Sequence, residues 1–519
     1  MLNADQEKAK TKIFQFLPQE NPNKIFLLEG PAGTGKTFLI THIFKQMRGK
    51  IACAAPTNKA LSVLQMANPF RAYYKTIHGL LGIYRSIDER GNINFDLEEC
   101  SSEMITEFDY IIIDEASMIS NVICVQLENM INTGLSQTKL IYCGDKSQLP
   151  PVNEPCSSVF SRNYPGYSLS KIERTKKDDI VSYCNSIRLG VKPPKTKNQN
   201  IRVFKDEKLW LDEFMLGYSG DSIVLAYTNR RVNYINTKVR AHLFKDNKKY
   251  NPGEKIVFKN FYTNDNSTHY TSQLAYIETV GTIRHTFPTL DPSVLMNIKL
   301  GTEINKLKTK DEPLKDPCPI CYEKDVDKVA ETPCGHQFCE SCIRLWIERN
   351  DSCPMCRMRF QNGEILVKDQ PEVSALINKF REKTLNFNIQ LYQLIIAKDN
   401  SDYEIVTIHE DSEKEYKQML KDMEDIIQRL RNTIYKVNKR NTKFNKIILL
   451  NLWTFYHEQY RDILADIDYG YALTIHKSQG STYENVFFDL KNALLNKNEL
   501  KSLIYTGVSR ASEKLMILK

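Results

Sequence analysis

Eight residues able to bind a metal ion lie within 39 residues in the middle of this chain. Seven of the 13 cysteines fall in this window, together with one histidine. In order they are Cys318, Cys321, Cys334, His336, Cys339, Cys342, Cys353 and Cys356. Thiolates and imidazoles at short, paired spacings are typical of structural zinc sites, which take four ligands each. We therefore expect a small module that folds around two Zn²⁺ ions and is unfolded without them.

The order of these ligands resembles that of C3HC4 RING fingers. In that family the two sites are interleaved, and this implies how the ligands are shared. One Zn²⁺ would be bound by Cys318, Cys321, Cys339 and Cys342, and the other by Cys334, His336, Cys353 and Cys356. Interleaved tetrahedral sites have to form together. A different zinc module with similar spacing is the alternative.

RING fingers recruit a ubiquitin-loaded E2 enzyme through an apolar groove, and the resemblance extends to this groove. Ile320, Trp346 and Pro354 stand where the family places the E2 contacts, and Arg357 stands where active members lock the E2–ubiquitin conjugate. Catalysis would consist of holding that conjugate in a reactive geometry. The alternative is that Trp346 is a core residue and that the module only docks protein partners.

A phosphate-binding loop is predicted near the N-terminus. Residues 24–29 predict a buried strand, residues 38–47 predict a helix, and Gly-Pro-Ala-Gly-Thr-Gly-Lys-Thr stands between them. Glycines let backbone N–H groups turn toward phosphates, the lysine reaches the β- and γ-phosphates, and the threonine hydroxyl binds Mg²⁺. The pattern therefore predicts an ATP–Mg²⁺ site formed by Gly30, Ala32, Gly33, Thr34, Gly35, Lys36 and Thr37.

Polar side chains follow two further strand-like runs. Asp114 and Glu115 follow residues 110–113, and a loop containing Gln148 follows residues 139–143. Asp114 is placed to hold Mg²⁺, and Glu115 to orient or deprotonate the attacking water. Gln148 is expected to sense the γ-phosphate. The primary amide of Gln6 is suited to paired hydrogen bonds with adenine, although an ordinary exposed glutamine is the alternative.

These segments and others at 54–60, 76–78, 173–174, 474–482 and 505–511 resemble superfamily 1B DNA helicases of the RecD, Dda and Pif type in order and spacing. The resemblance covers most of residues 1–270 and 465–519. It implies two RecA-like domains that face each other across the nucleotide. Arg174 and Arg510 would stabilise charge on the transferred phosphoryl group, and Gly480 would contact ATP. A surface position is the alternative for either arginine.

The same resemblance implies that both domains hold a single strand of DNA. The expected contacts are mostly short polar side chains, which bind phosphate and sugar without reading sequence. They are Pro56, Thr57, Asn58, His78, Thr228, Asn229, Thr474, His476 and Lys477. We therefore expect sequence-tolerant binding of single-stranded or forked DNA, with base stacking adding to the affinity.

Residues 83–87 and 93–97 read as two short strands around a Gly-Asn turn and predict a β-hairpin. In the resembled family a hairpin at this point splits the duplex. Tyr84 and Phe95 are candidates for contact with the terminal base pair, and packing of the hairpin onto its domain is the alternative role for both.

The expected fold class is α/β, with two parallel-sheet RecA-like domains, an inserted SH3-like barrel with a helical hairpin, and a small zinc module. The predicted bounds are 1–165 for domain 1A, including the hairpin at about 80–100, and 166–251 with 466–519 for domain 2A. The barrel and helices of domain 2B would occupy 252–305 and 376–465, and the RING 312–362.

A heptad-like apolar pattern precedes the last motifs. It consists of Tyr416, Leu420, Met423, Ile427, Leu430, Ile434 and Val437. A facing helix would present Phe444, Ile448, Leu452, Phe455, Tyr460 and Ile463. An antiparallel helical hairpin within one chain is the simpler interpretation. Dimerisation through this stripe or through the RING is the alternative, so the oligomeric state stays open.

Charge and composition agree with a nucleic-acid partner but do not require one. The net charge is +8 with 71 basic and 63 acidic residues in 519. The first residues lack a signal-peptide pattern, and the longest clean aliphatic run, 447–450, is far too short to cross a bilayer. We expect an intracellular protein with reduced thiols and no membrane partner.

The leading hypothesis is an ATP-dependent DNA helicase, moving 5′→3′ by resemblance, with an embedded RING-type E3 ubiquitin ligase. An ATP-gated nucleic-acid platform whose RING only docks partners is the first alternative, and an RNA helicase is the second. Ubiquitin chemistry implies the nucleus or cytoplasm of a eukaryotic host, and the Lys/Asn/Ile-rich composition suggests a large DNA virus and its factory.

Overall fold

The computed structural model describes residues 2–67, 72–97, 105–132, 137–194, 200–246, 248–290, 371–398, 401–437 and 442–519. Within the RING it describes 308–310, 318–321, 329–331, 336–339, 342–343, 346 and 355. Pro354, Arg357, Cys334, Cys353 and Cys356 lie outside these ranges. Across the ranges it describes, no helix combines the length and the apolarity needed to traverse a bilayer.

The first lobe is a parallel six-stranded sheet flanked by helices. Its strands are β1 (Ile25–Glu29), β2 (Ile51–Ala55), β3 (Tyr73–Thr76), β6 (Tyr110–Ile113), β7 (Lys139–Gly144) and β8 (Gly166–Ser168), in the order β3-β2-β6-β7-β1-β8. Its helices are α1 (Ala4–Phe16), α2 (Lys36–Phe44), α3 (Asn58–Ala67), α4 (Ile77–Leu80) and α5 (Asn121–Asn132). Apolar residues on both faces of the central strands, such as Ile111 and Ile112, are buried in separate cores, as expected for a parallel sheet covered by helices.

The second lobe is a parallel five-stranded sheet assembled from two distant stretches of chain. Its strands are β9 (Ile201–Phe204), β10 (Ser222–Ala226), β21 (Ala472–Thr474), β22 (Tyr483–Asp489) and β23 (Ala511–Leu518), in the order β21-β10-β22-β23-β9. Its helices are α6 (Asp178–Leu189), α7 (Glu207–Leu216), α8 (Asn229–Leu243), α12 (Leu490–Ala493) and α13 (Leu500–Val508). The predicted α/β class with two parallel sheets is confirmed.

An antiparallel five-stranded sheet stands where the barrel was expected. Its strands are β11 (Lys255–Phe258), β14 (Leu274–Thr286), β18 (Asn388–Lys398), β19 (Ser401–Ile408) and β20 (Ile467–Tyr469), in the order β19-β18-β14-β11-β20. A small hairpin of β12 (Tyr262–Asn264) and β13 (Ser267–His269) projects between β11 and β14. Strands β11, β14, β18 and β19 fall within the ranges predicted for the barrel and helices, 252–305 and 376–465.

Three helices pack beside this sheet and form the tower of the molecule. They are α9 (Pro371–Thr384), α10 (Glu410–Val437) and α11 (Thr442–Tyr456), followed by a π-helical turn over His457–Arg461. Met423, Ile427 and Ile434 of the heptad pattern are buried against Ile448 and Leu452. The apolar stripe is therefore covered within the chain, as the simpler interpretation predicted.

Four predicted boundaries differ from the structure. Residues 308–310 pair with 329–331, so the zinc module begins before the predicted start at 312. Strand β8 pairs with β1, so the first lobe extends past residue 165. Strand β20 pairs with β11, so the antiparallel sheet extends past residue 465. Helix α9 begins at Pro371, before the predicted start at 376. Each strand is only three residues long, and its sheet membership depends on tertiary pairing rather than on its own sequence.

The RING region forms a three-stranded antiparallel sheet of β15 (Lys308–Lys310), β16 (Val329–Glu331) and β17 (Gln337–Cys339). Its described apolar residues make a separate small core that contains Cys318, Phe338 and Ile343. The module is spliced between β14 and α9, that is, between the antiparallel sheet and the tower.

Candidate functional site: a nucleotide cleft between two lobes, a polar track and a zinc centre

The P-loop follows β1 and leads directly into α2. Gly33 and Gly35 adopt φ values of 83° and 77°, which favour glycine. A Cβ atom on Gly33 would lie 2.5 Å from the Cβ of Arg174, and one on Gly35 would lie 2.6 Å from Nε2 of Gln6. The two glycines are therefore required both by the turn and by the close approach of neighbouring side chains.

The residues predicted to hold Mg²⁺ meet at the start of α2. The Thr37 hydroxyl donates a hydrogen bond to Oδ2 of Asp114 at 2.8 Å. The Lys36 ammonium donates to the backbone carbonyl oxygens of Gly30 and Pro31, at 2.7 and 3.2 Å. A hydroxyl beside a carboxylate is the hard-oxygen donor set that Mg²⁺ prefers, so these residues fit the ion that accompanies ATP.

Glu115 lies at the mouth of this site in a left-handed backbone conformation, with φ of 54°. Burial and the neighbouring Asp114 raise the pKa of Glu115, whereas Arg510, Lys36 and Arg174 lower it, and the net shift is upward. A carboxylate with a raised pKa is better suited to accept a proton from water. The position and the pKa both match the expected role of a general base.

We expect the kcat of ATP hydrolysis to fall as the pH drops through the raised pKa of Glu115, because only the ionised carboxylate accepts a proton. The acidic limb should begin above the pH at which an ordinary glutamate titrates. Glu115→Gln should remove this limb and lower kcat by about 10²–10⁴-fold. The measurement is kcat against pH, with Glu382→Gln on the exposed face of α9 as the control. An unchanged acidic limb in Glu115→Gln would show that another group is the base.

Arg510 is buried at 1% exposure between the two lobes. Its guanidinium donates to the carbonyl oxygen of Thr506 at 2.9 Å, to that of Ser481 at 3.2 Å, and to Oε1 of Gln148 at 3.0 Å. The contact with Gln148 crosses from the second lobe to the first. Arg510 and the γ-phosphate sensor predicted at Gln148 are therefore in direct contact.

Arg174 lies in the connection between the lobes, after β8, and its side chain packs against Gly33 of the P-loop. Its guanidinium donates to the carbonyl oxygen of Ser509 at 2.8 Å. Burial and the nearby Arg510 lower its pKa to about 10, so it remains charged at neutral pH. The prediction of an exposed surface arginine fails for both residues, because each is held at the cleft.

A hydrogen-bonded cluster that the sequence did not single out joins the lobes beside these arginines. The Tyr505 hydroxyl donates to Oδ2 of Asp145 at 2.8 Å and accepts from the backbone N–H of Ala32 at 3.0 Å. The Ala32 N–H also donates to Oδ2 of Asp145 at 2.7 Å. Nearby, the N–H of Leu149 donates to Oγ1 of Thr506 at 3.1 Å. Both tyrosine and aspartate belong to recognised motifs, but only the fold brings them together.

Gln6 is buried beside the P-loop, which corrects the alternative of an exposed residue. Its Oε1 accepts from the Asn3 N–H at 3.0 Å as part of a capping box, and its Nε2 donates to the carbonyl oxygen of Thr34 at 3.1 Å. The amide keeps a second N–H and a second lone pair, so these two bonds are compatible with the predicted contact with adenine. Gly480, with φ of 79°, lies across the cleft near Glu115.

Two cavities lie along the seam between the lobes and the antiparallel sheet. The first has a volume of about 360 Å³ and is lined by Pro56, Thr57, Asn58, Lys59, Met118, Thr271, Ser272, His476, Lys477 and Gln479. The second has a volume of about 340 Å³, and its lining includes Asn229, Asn233, Asn236, Lys259, Asn260, Thr474 and Lys477. Lys477 lines both. Seven of the nine predicted DNA contacts thus line these two cavities, which we together call the track.

The other two predicted DNA contacts line neither cavity. Thr228 is the N-cap of α8, where its Oγ1 accepts from the N–H of Arg231, and its own N–H donates to Oδ1 of Asn492 at 2.9 Å. A capping role accounts for this threonine locally. His78 lies on α4, where burial lowers its pKa and so favours the neutral imidazole.

The predicted hairpin forms from β4 (Ile83–Ile87) and β5 (Ile93–Leu97) and lies against the tower. The carbonyl oxygens of Glu89 and Arg90 accept hydrogen bonds from the Trp453 indole at 3.3 Å and the Gln428 amide at 2.8 Å. At the base of the hairpin, Arg85 forms an ion pair with Asp462 at 2.9 Å. The hairpin of the first lobe is therefore braced by an insertion of the second. The side chains of Tyr84 and Phe95 lie outside the described residues.

Four RING cysteines converge on one point. The Sγ atoms of Cys318, Cys321, Cys339 and Cys342 all lie within 4.8 Å of one another, which fits a tetrahedral Zn²⁺ site. These are the four ligands predicted for the first ion. Of the second set, His336 is described and the other three ligands are not. Ile320 and Trp346 are partly buried against the RING core, a placement that both predicted roles allow.

Comparisons with known proteins agree with this geometry. Residues 16–154 match the family model of an AAA domain, residues 469–518 that of the UvrD-like helicase C-terminal domain, and residues 318–356 that of the C3HC4-type zinc finger, or RING finger. The three matches fall on the first lobe, the second lobe and the cysteine cluster.

Similar proteins include one that aligns along the whole chain, a DNA helicase and a RING finger protein. An uncharacterised protein of Acanthamoeba polyphaga mimivirus is 27% identical over 99% of this chain and 99% of its own length. The ATP-dependent DNA helicase dda of enterobacteria phage T4 is 26% identical over 45% of this chain and 55% of its own length. The RING-H2 finger protein ATL5 of Arabidopsis thaliana is 33% identical over 16% of this chain and 32% of its own length. A solved structure of a Bacteroides Pif1 helicase aligns at 14% identity, covering 100% of this chain and 92% of that one, with a TM-score of 0.45.

Proposed function

Because this chain is a superfamily 1 helicase that carries a C3HC4 RING finger, we propose that it couples ATP hydrolysis to 5′→3′ movement along single-stranded DNA. The polar track between the lobes would hold the strand, and the braced hairpin would separate the duplex ahead of it. The observation that carries the proposal is the contact of Arg510 with Gln148 between the two lobes. Met118 and Gln479, which are close in sequence to cleft residues Glu115 and Gly480, line the track.

The chemistry of the cleft follows from its own side chains. Thr37 and Asp114 would hold Mg²⁺, which would neutralise charge on the phosphates. Glu115 would accept the proton of the attacking water, while Lys36, Arg174 and Arg510 stabilise the charge that develops on the transferred group. Since Arg510 comes from the second lobe and Lys36 from the first, hydrolysis requires the lobes to close.

The cleft and the track are linked by short stretches of chain. Gln479 of the second lobe donates to Oγ of Ser117 in the first at 3.2 Å, while His476 and Lys477, just before it, line the track. In the first lobe Ser117 follows Glu115 by two residues, and Met118 lines the same cavity. A change in lobe separation at the nucleotide therefore moves track residues of both lobes, which is the requirement for stepping.

The direct test is unwinding of a duplex with a 5′ single-stranded tail. We expect ATP-dependent strand separation by the full chain, and loss of both unwinding and hydrolysis in Lys36→Ala. A duplex with a 3′ tail should be a poor substrate, and an RNA track of the same sequence tests the RNA-motor alternative. Unwinding that survives Lys36→Ala would reject the proposal.

The contact between the hairpin and the tower should matter for strand separation but not for hydrolysis. A Cβ atom on Gly91 would lie 2.6 Å from the Trp453 indole. We expect Gly91→Ala to undock the hairpin and to reduce unwinding about tenfold, since overpacking costs about 1–3 kcal/mol. ATP hydrolysis stimulated by single-stranded DNA should be retained.

Gly253→Ala is a matched control for this substitution. Gly253 has the same kind of positive φ, 80°, but a Cβ there meets nothing within 4 Å. The two variants share the backbone strain and differ in the clash. Equal unwinding by both variants would show that the docked hairpin is not needed.

We further propose that the RING recruits a ubiquitin-conjugating E2 enzyme and acts as an E3 ligase. The support is the tetrad of Cys318, Cys321, Cys339 and Cys342, and the position of Ile320 and Trp346 at the edge of the RING core. A docking module without ligase activity is the competing proposal. The relative from a mimivirus, alike over its whole length, supports a viral factory in a eukaryotic host as the place of action.

A further inference from the structure

The antiparallel sheet contributes to both cavities of the track, at two places in its sequence. Lys259 and Asn260 line one cavity, while Thr271 and Ser272 line the other. These two pairs immediately precede and follow the segment 261–270, which contains the β12–β13 hairpin. The hairpin is therefore flanked in sequence, on both sides, by residues that line the track.

Two aromatic side chains stand at the base of this hairpin on its outer face. The rings of Phe261 and Tyr270 are 6.0 Å apart, and Phe261 is 55% exposed. Their sequence neighbours Tyr262 and His269 point the opposite way and are buried, where His269 stacks on Phe258 at 4.5 Å. Since successive side chains of a strand alternate between faces, burial of one pair commits the other to the surface.

The strand segments that carry this pair are held firmly. Ser272 has φ of 67°, its N–H donates to the carbonyl oxygen of Phe258 at 2.8 Å, and the Tyr270 N–H donates to Oε1 of Gln273 at 2.9 Å. The ammonium of Lys59 reaches from the first lobe to the Ser272 carbonyl oxygen at 3.3 Å. The segments that carry the aromatic pair are thus held by the sheet, and one of them is tied to the first lobe through Lys59.

The surroundings of the pair are basic and polar. Lys59 and Lys477 line one cavity of the track. Lys259 lines the other, where it is paired with Asp466 at 3.0 Å and where Asp468 also lines the wall, so the cations near the pair are Lys59 and Lys477. Cations that follow a phosphate backbone, combined with exposed aromatic rings, are the combination used by proteins that bind single strands without sequence preference. The planes of the two rings are tilted by 43° to each other, and each ring offers an apolar face on which an unstacked base can stack.

We infer that Phe261 and Tyr270 form a base-stacking platform that gives the track a third grip, supplied by the inserted sheet. Its ligand is one or two unstacked bases of a single-stranded polynucleotide whose backbone runs past Lys477. The inference rests on the proposed movement along a single strand. It adds a contact to bases, whereas the predicted contacts of the two lobes are to phosphate and sugar.

The test is equilibrium binding of a fluorescent oligothymidylate, and of an abasic oligonucleotide of the same length, to the full chain. Phe261→Ala with Tyr270→Ala should weaken binding of the oligothymidylate about tenfold or more, and leave binding of the abasic strand unchanged. Phe261→Trp with Tyr270→Phe should restore it. Tyr73→Ala is the matched control, because Tyr73 is 57% exposed on the edge strand of the first lobe.

Each other outcome has a distinct meaning. Equal loss of affinity for both strands, or no loss for either, overturns the platform. Basal ATP hydrolysis measured without DNA should be the same in the double variant and the parent, which shows that the variant is folded. A parent chain that binds neither oligonucleotide would refute the proposed movement on DNA. A parent chain that binds the oligothymidylate and the abasic strand equally well would refute only the base-stacking platform.

Discussion

Replacing Arg510 with alanine or lysine is expected to lower the kcat of ATP hydrolysis about a thousandfold, because the guanidinium stabilises the transition state from across the cleft. Lysine keeps the charge but cannot make the three contacts to Thr506, Ser481 and Gln148 at once. The KM for ATP should change much less than kcat. The measurement is steady-state hydrolysis with saturating single-stranded DNA.

Arg510 is buried, so its removal also leaves Gln148 without this partner, and a fold defect has to be excluded. Binding of single-stranded DNA without nucleotide serves this purpose, since the track is lined by other residues. Lys514→Ala, on the same strand β23, is a control with an exposed cation. A kcat within a few-fold of the parent for Arg510→Lys would show that the charge alone suffices and that the bridging geometry is unimportant.

Loss of zinc is the second change with a large expected effect. Cys339→Ser, or a strong chelator, should unfold the RING and abolish ubiquitin-chain formation with a panel of E2 enzymes. The free energy at stake is large, since structural zinc contributes on the order of 10 kcal/mol to folding of such small modules. Hydrolysis of ATP should be retained, because the RING residues form their own core.

Two controls show whether a loss of ubiquitin-chain formation is due to the loss of zinc or to the loss of E2 binding. Cys156→Ser changes an exposed cysteine outside the tetrad and should have no effect. Ile320→Ala and Arg357→Ala should reduce chain formation with the zinc content intact, if the RING is a ligase. Chain formation that is absent from the parent with every E2 would favour the docking module, and a parent protein without stoichiometric zinc would refute the RING itself.

The zinc tetrad and the magnesium pair show what could be predicted from sequence. Cys318 and Cys321 are close in sequence, as are Cys339 and Cys342, but the resemblance to RING fingers was needed to join the two pairs in one site. Thr37 and Asp114 are 77 residues apart, and each was recognised by the strand-like run before its motif. The helical pattern around Met423 and Ile427 was equally informative, because a buried stripe needs a facing partner and the chain supplies one. The short strands β8 and β20 were not predicted, and each lies just beyond the predicted bound of the domain whose sheet it joins, since three residues carry little pattern of their own.

The structure adds local partners that the motifs did not reveal. Thr228, predicted to hold DNA, is the N-cap of α8. Gln6, predicted to meet adenine, joins a capping box to the P-loop. Both predicted contacts stay predictions. Polar residues have several possible partners within hydrogen-bonding reach, and the sequence does not say which of them the fold brings close.

The sequence by itself determined the chemistry of this protein: a triphosphate site, because a contiguous loop forms it, and a zinc module, because ligand spacing specifies it. Only the tertiary structure decided how these parts are connected. Tyr505 meets Asp145 across 360 residues, the Trp453 indole braces the hairpin at Glu89, and Arg510 contacts Gln148 between the lobes. Contacts of this kind depend on how separate sheets and helices pack, and packing is a property of the whole chain rather than of any segment.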